Sequence, residues 1–460
     1  MKFLSSLIIS KDDFELLRSL LLTEDNIENA VFGICGFSKL EKETRILVRK
    51  LFPVPLNEYR IRNYDQLEVS PSFINRVIDE AEGKFAIFVS HSHPNSESPS
   101  YSLSDDVGEA RLFNVFSSLI PRVPHVSLLF GTKEIKGRYW VNGKFRQLNQ
   151  INVVGSAIKK IELSNLKTQK RRKSVKAIYN RQVLAFGDEV QQEIGKLKVG
   201  IVGLGGTGSL VAEELVRLGV RNLILVDFDR FEDSNITRMY GTGKSNLGRR
   251  ELKTSIIARH LKSIRKGMTV KEISNSIVSE NTLVKLANSD VIFSCTDNDW
   301  SRSVLNRLAY QYMIPVIDAG IRIKVNDFKI SGVAGRVSLI GPGLPCLWCS
   351  YHLDSDRIRV ESMEQAERKK LEREGYIEGL PVRSPAVISL NSTIASLSVT
   401  MLLSLLSDFS RVPKEAPEQI YDAVDGILFK SRPVAKQDCP ICGSRGLKGL
   451  GSSQVISAYR

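Results

Sequence analysis

Three groups of residues have types and spacings suited to chemistry. The first is His91-Ser92-His93-Pro94, which follows the apolar run Phe85–Ser90, with Ser102-Leu103-Ser104-Asp105 opening the next segment. Residues two apart on a strand share a face, so both imidazoles can meet one ion, and Asp105 can add an oxygen ligand. Three protein ligands with an open fourth position form the arrangement of a catalytic zinc, which makes water a nucleophile near neutral pH. Glu28, ahead of the apolar Ala30–Gly36, is the candidate general base. The same residues admit plainer roles, as loop histidines and as a Ser-x-x-Asp capping box at a helix start.

The second group is the turn Gly203-Leu-Gly205-Gly206-Thr-Gly208, which follows Lys198–Val202. Such glycines let backbone approach phosphates, and the N-terminus of the next helix adds N–H donors and a favourable dipole. Asp227 ends the next apolar run about twenty residues on, at the spacing of an acid that holds ribose hydroxyls. By themselves these residues read as a dinucleotide site, so a dehydrogenase is the default. The residues beyond Asp227 fit a triphosphate better. Asn235, Arg238 and Lys253 place cations and an amide after the ribose acid. Asp297, in Cys295-Thr-Asp-Asn298, stands at a strand end where a carboxylate suits Mg²⁺.

The third group is Cys346-Leu-Trp-Cys349 with Cys439-Pro-Ile-Cys442. Two Cys-x-x-Cys pairs can close a structural zinc site of four thiolates. A redox pair is the alternative, and no thioredoxin-like context surrounds either motif. Cys35 and Cys295 are the other two of the six cysteines, and no cysteine lies between Cys349 and Cys439.

The elements that must position these groups change character along the chain. Up to about residue 150, short β-like runs (Ala30–Gly36, Arg45–Phe52, Phe85–His91, Val126–Phe130) alternate with helical ones. Leu166–Lys176 then carries six Lys/Arg and no acid. It reads as a solvated linker, with a nuclear or nucleic-acid signal as the alternative. From about 177, the apolar strands Lys198–Val202, Asn222–Asp227, Asp290–Cys295 and Pro315–Ala319 alternate with helices such as Thr207–Leu218. That pattern predicts a parallel sheet covered on both faces. Glu361–Glu374 reads as a charged helical insert. The expected organisation is residues 1–155, a linker over 156–176, and 177–460, in an α/β class.

Bulk composition agrees with a folded chain of two or three domains. It has 460 residues, 42% hydrophobic and 25% charged, with a net charge of +14. The surplus of positive charge suits an acidic partner or polyphosphate. No basic stripe interleaved with aromatics supports nucleic acid. The N-terminal run lacks an Arg-rich flank and a cleavage site, and the apolar stretch Ile394–Leu406 is broken by Ser and Thr. The expectation is therefore a cytoplasmic protein with a buried helix there and no membrane span.

The string His-x-His-Pro, seven residues, Ser-x-x-Asp resembles the JAB/JAMM metallopeptidases, which cleave after the C-terminal glycine of ubiquitin-like proteins. The resemblance covers roughly 1–150 and implies a JAB/MPN-like α/β domain. It implies that His91, His93 and Asp105 bind a catalytic Zn²⁺, that Ser102 helps stabilise the oxyanion, and that Glu28 is the general acid/base, with Glu41 and Glu43 as the fallback acids. Tyr179-Asn-Arg181-Gln, GLGGTG, LILVDFD, SNITR, CTDN and the paired Cys-x-x-Cys motifs resemble, in that order, the ThiF/MoeB/ubiquitin-activating adenylyltransferases. That resemblance spans about 177–445 and implies a Rossmann-like, doubly wound adenylation domain. It implies that Asp227 holds the ribose of ATP, that Asn235, Arg238 and Lys253 contact phosphates, with Arg250 as a substitute for Lys253, whose spacing from Arg238 is longer than the family's, that Asp297 binds Mg²⁺, and that Arg181 reaches into the partner's site of a homodimer. Cys346, Cys349, Cys439 and Cys442 would hold a structural Zn²⁺. The implied partner is a ubiquitin-like or sulfur-carrier protein with a C-terminal glycine. A conjugating-enzyme-like acceptor is a further implied partner. Relatives that form a thioester carry its cysteine between the two Cys-x-x-Cys pairs, so that step is expected to be absent here. Sulfur-carrier activation and a non-catalytic scaffold for ubiquitin-like proteins are the competing functions.

Overall fold

The computed structural model describes residues 4–40, 43–163, 177–374, 377, 385–407 and 409–452. The basic stretch Leu166–Lys176 and the fallback acid Glu41 lie outside the described residues. Two compact units emerge. The first is Met1–Arg172 with Gln311–Met313 and Leu447–Val455, and the second is built from Lys173–Tyr310 and Ile314–Gly446.

In the first unit the elements run β1 (Leu4–Ser10), α1 (Lys11–Leu21), β2 (Ala30–Lys39), β3 (Glu43–Pro53), β4 (Tyr59–Arg62), β5 (Leu67–Val69), α2 (Pro71–Glu80), β6 (Ala86–Ser92), α3 (Leu103–Leu119), β7 (His125–Phe130), β8 (Ile135–Val141), β9 (Lys144–Gln147), β10 (Gln150–Val154) and β11 (Lys159–Glu162). Nine strands make one sheet in the order β11-β10-β1-β3-β2-β6-β7-β8-β9. β6 is central and buried along its whole length, because β2 and β7 flank it and its Phe, Ile and Val side chains join a core that includes Phe113, Phe116 and Phe130. Burying each such side chain contributes about 1.5–3 kcal/mol. The helices that cover the sheet start at capping serines: Ser70 accepts the Phe73 N–H before α2, and Ser102 caps α3. Residues 447–452 belong to this unit, where Leu450 enters the core and Gly451 bridges to Phe37.

The second unit runs α4 (Asn180–Lys196), β12 (Lys198–Val202), α5 (Gly206–Leu218), β13 (Asn222–Val226), α6 (Lys253–Ile264), β14 (Thr269–Ile273), α7 (Glu280–Leu286), β15 (Val291–Ser294), α8 (Asp299–Gln311), β16 (Val316–Asn326), β17 (Lys329–Ile340), α9 (Ser355–Ser362), α10 (Gln365–Arg373), α11 (Ile388–Leu406), α12 (Val412–Glu415), β18 (Glu418–Asp422) and β19 (Ile427–Ser431). The charged insert expected over Glu361–Glu374 contains α10.

The sheet order is β14-β13-β12-β15-β16-β17-β18-β19. From β14 to β16 the pairs are parallel, as the alternating pattern predicts. From β16 to β19 they are antiparallel, so the sheet extends beyond the four parallel strands read from the sequence, β12, β13, β15 and β16. The reversal is local: Asp327 and Phe328 both take positive φ between β16 and β17, the conformation of a two-residue hairpin turn. The chain leaves β12 toward β13 and later returns to β12's other side as β15, so the strand order reverses there. Ligands of doubly wound sheets bind at the carboxyl edge of that point. The overall class is α/β, with a Rossmann-like second unit.

α11 is long and apolar enough, by length and composition alone, to cross a membrane. It packs on α5, β16 and β17, and its buried positions include polar Asn391, Ser398 and Ser404. Those contacts are the signature of a core helix.

Candidate functional site

The first constellation is assembled by register. In the antiparallel β2–β6 pair Ala30 lies opposite His91, and the Ser92 N–H donates to the Asn29 carbonyl at 3.1 Å. Two residues further out, the same register sets Glu28 against His93, with Glu28 Oε1 3.5 Å from His93 Nε2. Asp105 arrives from α3, with Oδ1 3.3 Å from His91 Nε2 and Oδ2 3.5 Å from His93 Nε2. The three candidate ligand atoms lie within 4.8 Å of one another. His91 Nε2 is buried and has no hydrogen-bond partner, a costly state for a polar atom unless something is bound between these groups. A divalent cation fits that donor set.

Electrostatics reinforce the cluster. Burial pushes the Glu28 carboxyl above its ordinary value, against the pull of His93 and His91. His93 is pushed up, first by its hydrogen bond with Asp105. Burial works to raise Asp105, but the adjacent imidazoles of His91 and His93 and the hydrogen bond from the Ser102 N–H hold it well below the carboxylate range. The capping-box geometry is also present: the Ser102 N–H donates to Asp105 Oδ2 at 2.7 Å, and the Asp105 N–H donates to Ser102 Oγ at 3.1 Å. One aspartate can thus cap its helix and face the histidines. Ser102 is exposed, its hydroxyl 2.7 Å from Ser104 Oγ. The fallback acid Glu43 is occupied elsewhere, accepting from Ser6 Oγ at 2.6 Å and pairing with Arg45 at 3.2 Å. No motif signalled Glu109 and Arg138, which stand behind His91.

The second constellation sits at the sheet's switch point. Gly203 has φ of +86°, and a Cβ on Gly208 would lie 1.8 Å from the Gly203 carbonyl oxygen, so only glycine fits this turn. Gly205 faces open space. Asp227, at the end of β13, accepts the Leu204 N–H at 2.7 Å and the Asp229 N–H at 2.8 Å, while burial raises its pKa. Lys253 opens α6 and pairs with Asp229 at 2.7 Å. A side chain on Gly206 would meet Asn391 Nδ2 at 2.2 Å and Arg238 Cδ at 3.5 Å, which puts Arg238 beside the turn. Asn235 is buried, and its side-chain oxygen accepts the Glu232 N–H at 3.1 Å. Asp297 is exposed just beyond β15, and Arg250 and Arg181 are exposed as well. Asn391, contributed by α11 from far along the chain, was not legible in the sequence.

The thiol cluster is closed. Cys346 and Cys439 sulfurs are 3.7 Å apart, Cys349 and Cys442 sulfurs 3.5 Å, and all four lie within 4.8 Å of one another. Disulfide sulfurs would be about 2.05 Å apart. Tetrahedral Zn–S bonds of about 2.3 Å put sulfurs roughly 3.8 Å apart. The cluster therefore fits a structural zinc.

Comparisons with known proteins bear on the second unit. The SAMP-activating enzyme E1 of Haloferax volcanii is 24% identical over 61% of this chain and 93% of its own length. The molybdopterin-synthase adenylyltransferase of Escherichia coli is 23% identical over 58% of this chain and 95% of its own. Among solved structures, E. coli MccB with ATP shares 21% identity at a TM-score of 0.45, covering 59% of this chain and 75% of that one. The profile of the ThiF family matches residues 179–442, more than half of the sequence, and the chain belongs to that family.

Proposed function

We propose that the second unit adenylates the C-terminal glycine of a ubiquitin-like or sulfur-carrier protein with ATP·Mg²⁺. The carrying observation is the set Asp227, Arg238 and Lys253 gathered around the Gly203–Gly208 turn at the switch point of a ThiF-family sheet. Relatives named for activating SAMP and for adenylating molybdopterin synthase support the substrate class. In this reading Asp227 holds the ribose, while Asn235, Arg238 and Lys253 neutralise the phosphates, a charge problem that dominates phosphoryl chemistry. Mg²⁺, held by Asp297, would supply the remaining charge. The tail carboxylate forms its bond to the α-phosphorus, the bond to the β-phosphate oxygen breaks, and pyrophosphate leaves with that electron pair. Arg181 completes the site of a second copy in a homodimer. The acyl-adenylate then meets a thiol, persulfide or amine acceptor, a conjugating-enzyme-like protein among them.

The first unit is proposed as a zinc peptidase for the same kind of tail, and three ligand atoms around an orphaned His91 Nε2 support that reading. Zinc held by His91, His93 and Asp105 would polarise the scissile carbonyl and acidify water. Glu28 takes the water's proton and passes it to the leaving amine, and Ser102 donates to the developing oxyanion. Four thiols kept for metal suit a reducing cytoplasm.

The expected products are specific. Chain, ATP and a glycine-ending carrier should give AMP-linked carrier and pyrophosphate, with no reductant-sensitive adduct on a non-reducing gel. The reason is that Cys35 and Cys295 are poor nucleophiles: burial raises the Cys35 thiol, and loss of water followed by the nearby Asp318 pushes Cys295 up to about 12. A reductant-labile adduct lost in Cys295→Ala or Cys35→Ala would overturn this expectation. For the first unit, cleavage of a peptide extension placed after the carrier's terminal glycine should be lost in His91→Ala. Equal cleavage by that variant would refute the peptidase reading.

A further inference from the structure

We infer that Glu109 is the positioning residue that orients His91 for metal binding, with Arg138 fixing Glu109 in turn; this rests on the zinc-peptidase reading of the same site. Asp105 and Glu109 lie four residues apart on α3, so one face of the helix presents both a candidate ligand and the group behind the neighbouring ligand. His91 Nε2 faces Asp105 at 3.3 Å, and its other ring nitrogen, Nδ1, faces Glu109 Oε1 at 3.8 Å. If Nε2 binds an ion, the ring's proton must sit on Nδ1. A carboxylate is then the group that holds the tautomer and the ring plane, and 3.8 Å is within one side-chain adjustment of a hydrogen bond.

Glu109 is built for that role. It is buried and packed from three sides. Ser127 Oγ, on β7, donates to Oε1 at 2.6 Å. Arg138, on β8, grips Oε2 through Nε at 2.9 Å and Nη2 at 2.8 Å. The Arg138 guanidinium is itself fixed, lying 3.6 Å from the Tyr101 ring centroid and 3.9 Å from that of Phe145. Tyr101 in turn stands 6.3 Å from the His91 ring and within 3.2 Å of Ser127 Oγ. The Arg138 guanidinium also pairs through Nη1 with Asp106 Oδ1 at 2.5 Å, so it is shared by two carboxylates on the far side, and Glu109 Oε1 is left aimed at the imidazole. The arrangement is His91–Glu109–Arg138, assembled from β6, α3 and β8.

The full chain, stripped of metal by a chelator, is titrated with zinc against a chromophoric competitor. Wild type should bind two zinc ions and His91→Ala one, which identifies the ion of the first unit. Glu109→Gln should bind that ion about 10–100-fold more weakly, while zinc at the four-cysteine site is unchanged. Glu109→Asp, which keeps the charge, should recover part of the loss. Wild-type zinc affinity in Glu109→Gln would overturn the inference and leave the peptidase reading standing. A single zinc in both wild type and His91→Ala would overturn the peptidase reading itself. If Glu109→Gln does not fold, Arg138→Lys takes its place, since lysine keeps the charge but gives up the two-point grip. Unchanged zinc affinity in that variant would also overturn the inference.

Discussion

Asp297→Ala should slow carrier-dependent ATP–pyrophosphate exchange by about 100-fold or more, equivalent to roughly 2.7 kcal/mol of transition-state stabilisation. Asp297 stands exposed just beyond β15, at the carboxyl edge beside the Gly203–Gly208 turn. Its removal deletes no buried contact, so the fold should persist and the loss should fall on the reaction rate. The stability and zinc content of the variant should match wild type. The control is Asp299→Ala, next but one in sequence. Asp299 is buried and accepts the Asp354 N–H at 3.3 Å, so removing that acceptor should lower the melting temperature, which Asp297→Ala should not. Exchange at the wild-type rate in Asp297→Ala would remove Mg²⁺ support from the site as described.

Cys442→Ser should have the larger effect on stability. Apparent binding energies at structural zinc sites of this kind are about 10–16 kcal/mol near neutral pH, and that energy is folding energy. Cys439 and Cys442 close the cluster with Cys346 and Cys349, which follow β17. A direct hydrogen bond joins the two segments where the Lys436 N–H donates to Cys349 Sγ at 3.4 Å, a weak contact beside the four metal–thiolate bonds that a bound zinc would add. The variant should lose one zinc per chain and melt at a lower temperature, and a chelator should reproduce both effects in wild type. Zinc stoichiometry equal to wild type would contradict a four-thiolate site.

The constellations that could be read from the sequence are those whose geometry is local. His91 ends its ladder in β6 and His93 follows just past the strand's end, and the two still face one carboxylate, Asp105, as the two-residue spacing suggests. Gly203 to Gly208 make a strand–turn–helix whose sterics are fixed within six residues, and the Cys-x-x-Cys pairs announce a metal by spacing alone. The strands Ala30–Gly36, Arg45–Phe52 and Val126–Phe130 were legible for the same reason, and each falls inside an observed strand. What escaped depends on partners far apart in the chain. Glu28 was named from the sequence, but the β2–β6 register that brings it to His93 is set by hydrogen bonds between segments about sixty residues apart, a distance no periodicity spans. Asn391 reaches Gly206 from α11, and Arg138 reaches Glu109 from β8, and neither carries a local signature. The antiparallel half of the second sheet was missed because its hairpin turns on Asp327-Phe328, where a non-glycine pair takes positive φ. Ser102 and Asp105 show that two readings of one string need not compete, since the capping box holds the carboxylate that faces the histidines.

The most direct test of the central claim is isotope exchange from labelled pyrophosphate into ATP, using the full chain with a small ubiquitin-like carrier ending in glycine. The expected result is exchange only when ATP, Mg²⁺ and that carrier are all present, lost when the carrier's terminal glycine is deleted. Exchange that proceeds equally without the carrier or with the truncated one would contradict the account. So would no exchange with any glycine-ending carrier from a chain that instead binds a nicotinamide dinucleotide in the Gly203–Gly208 turn.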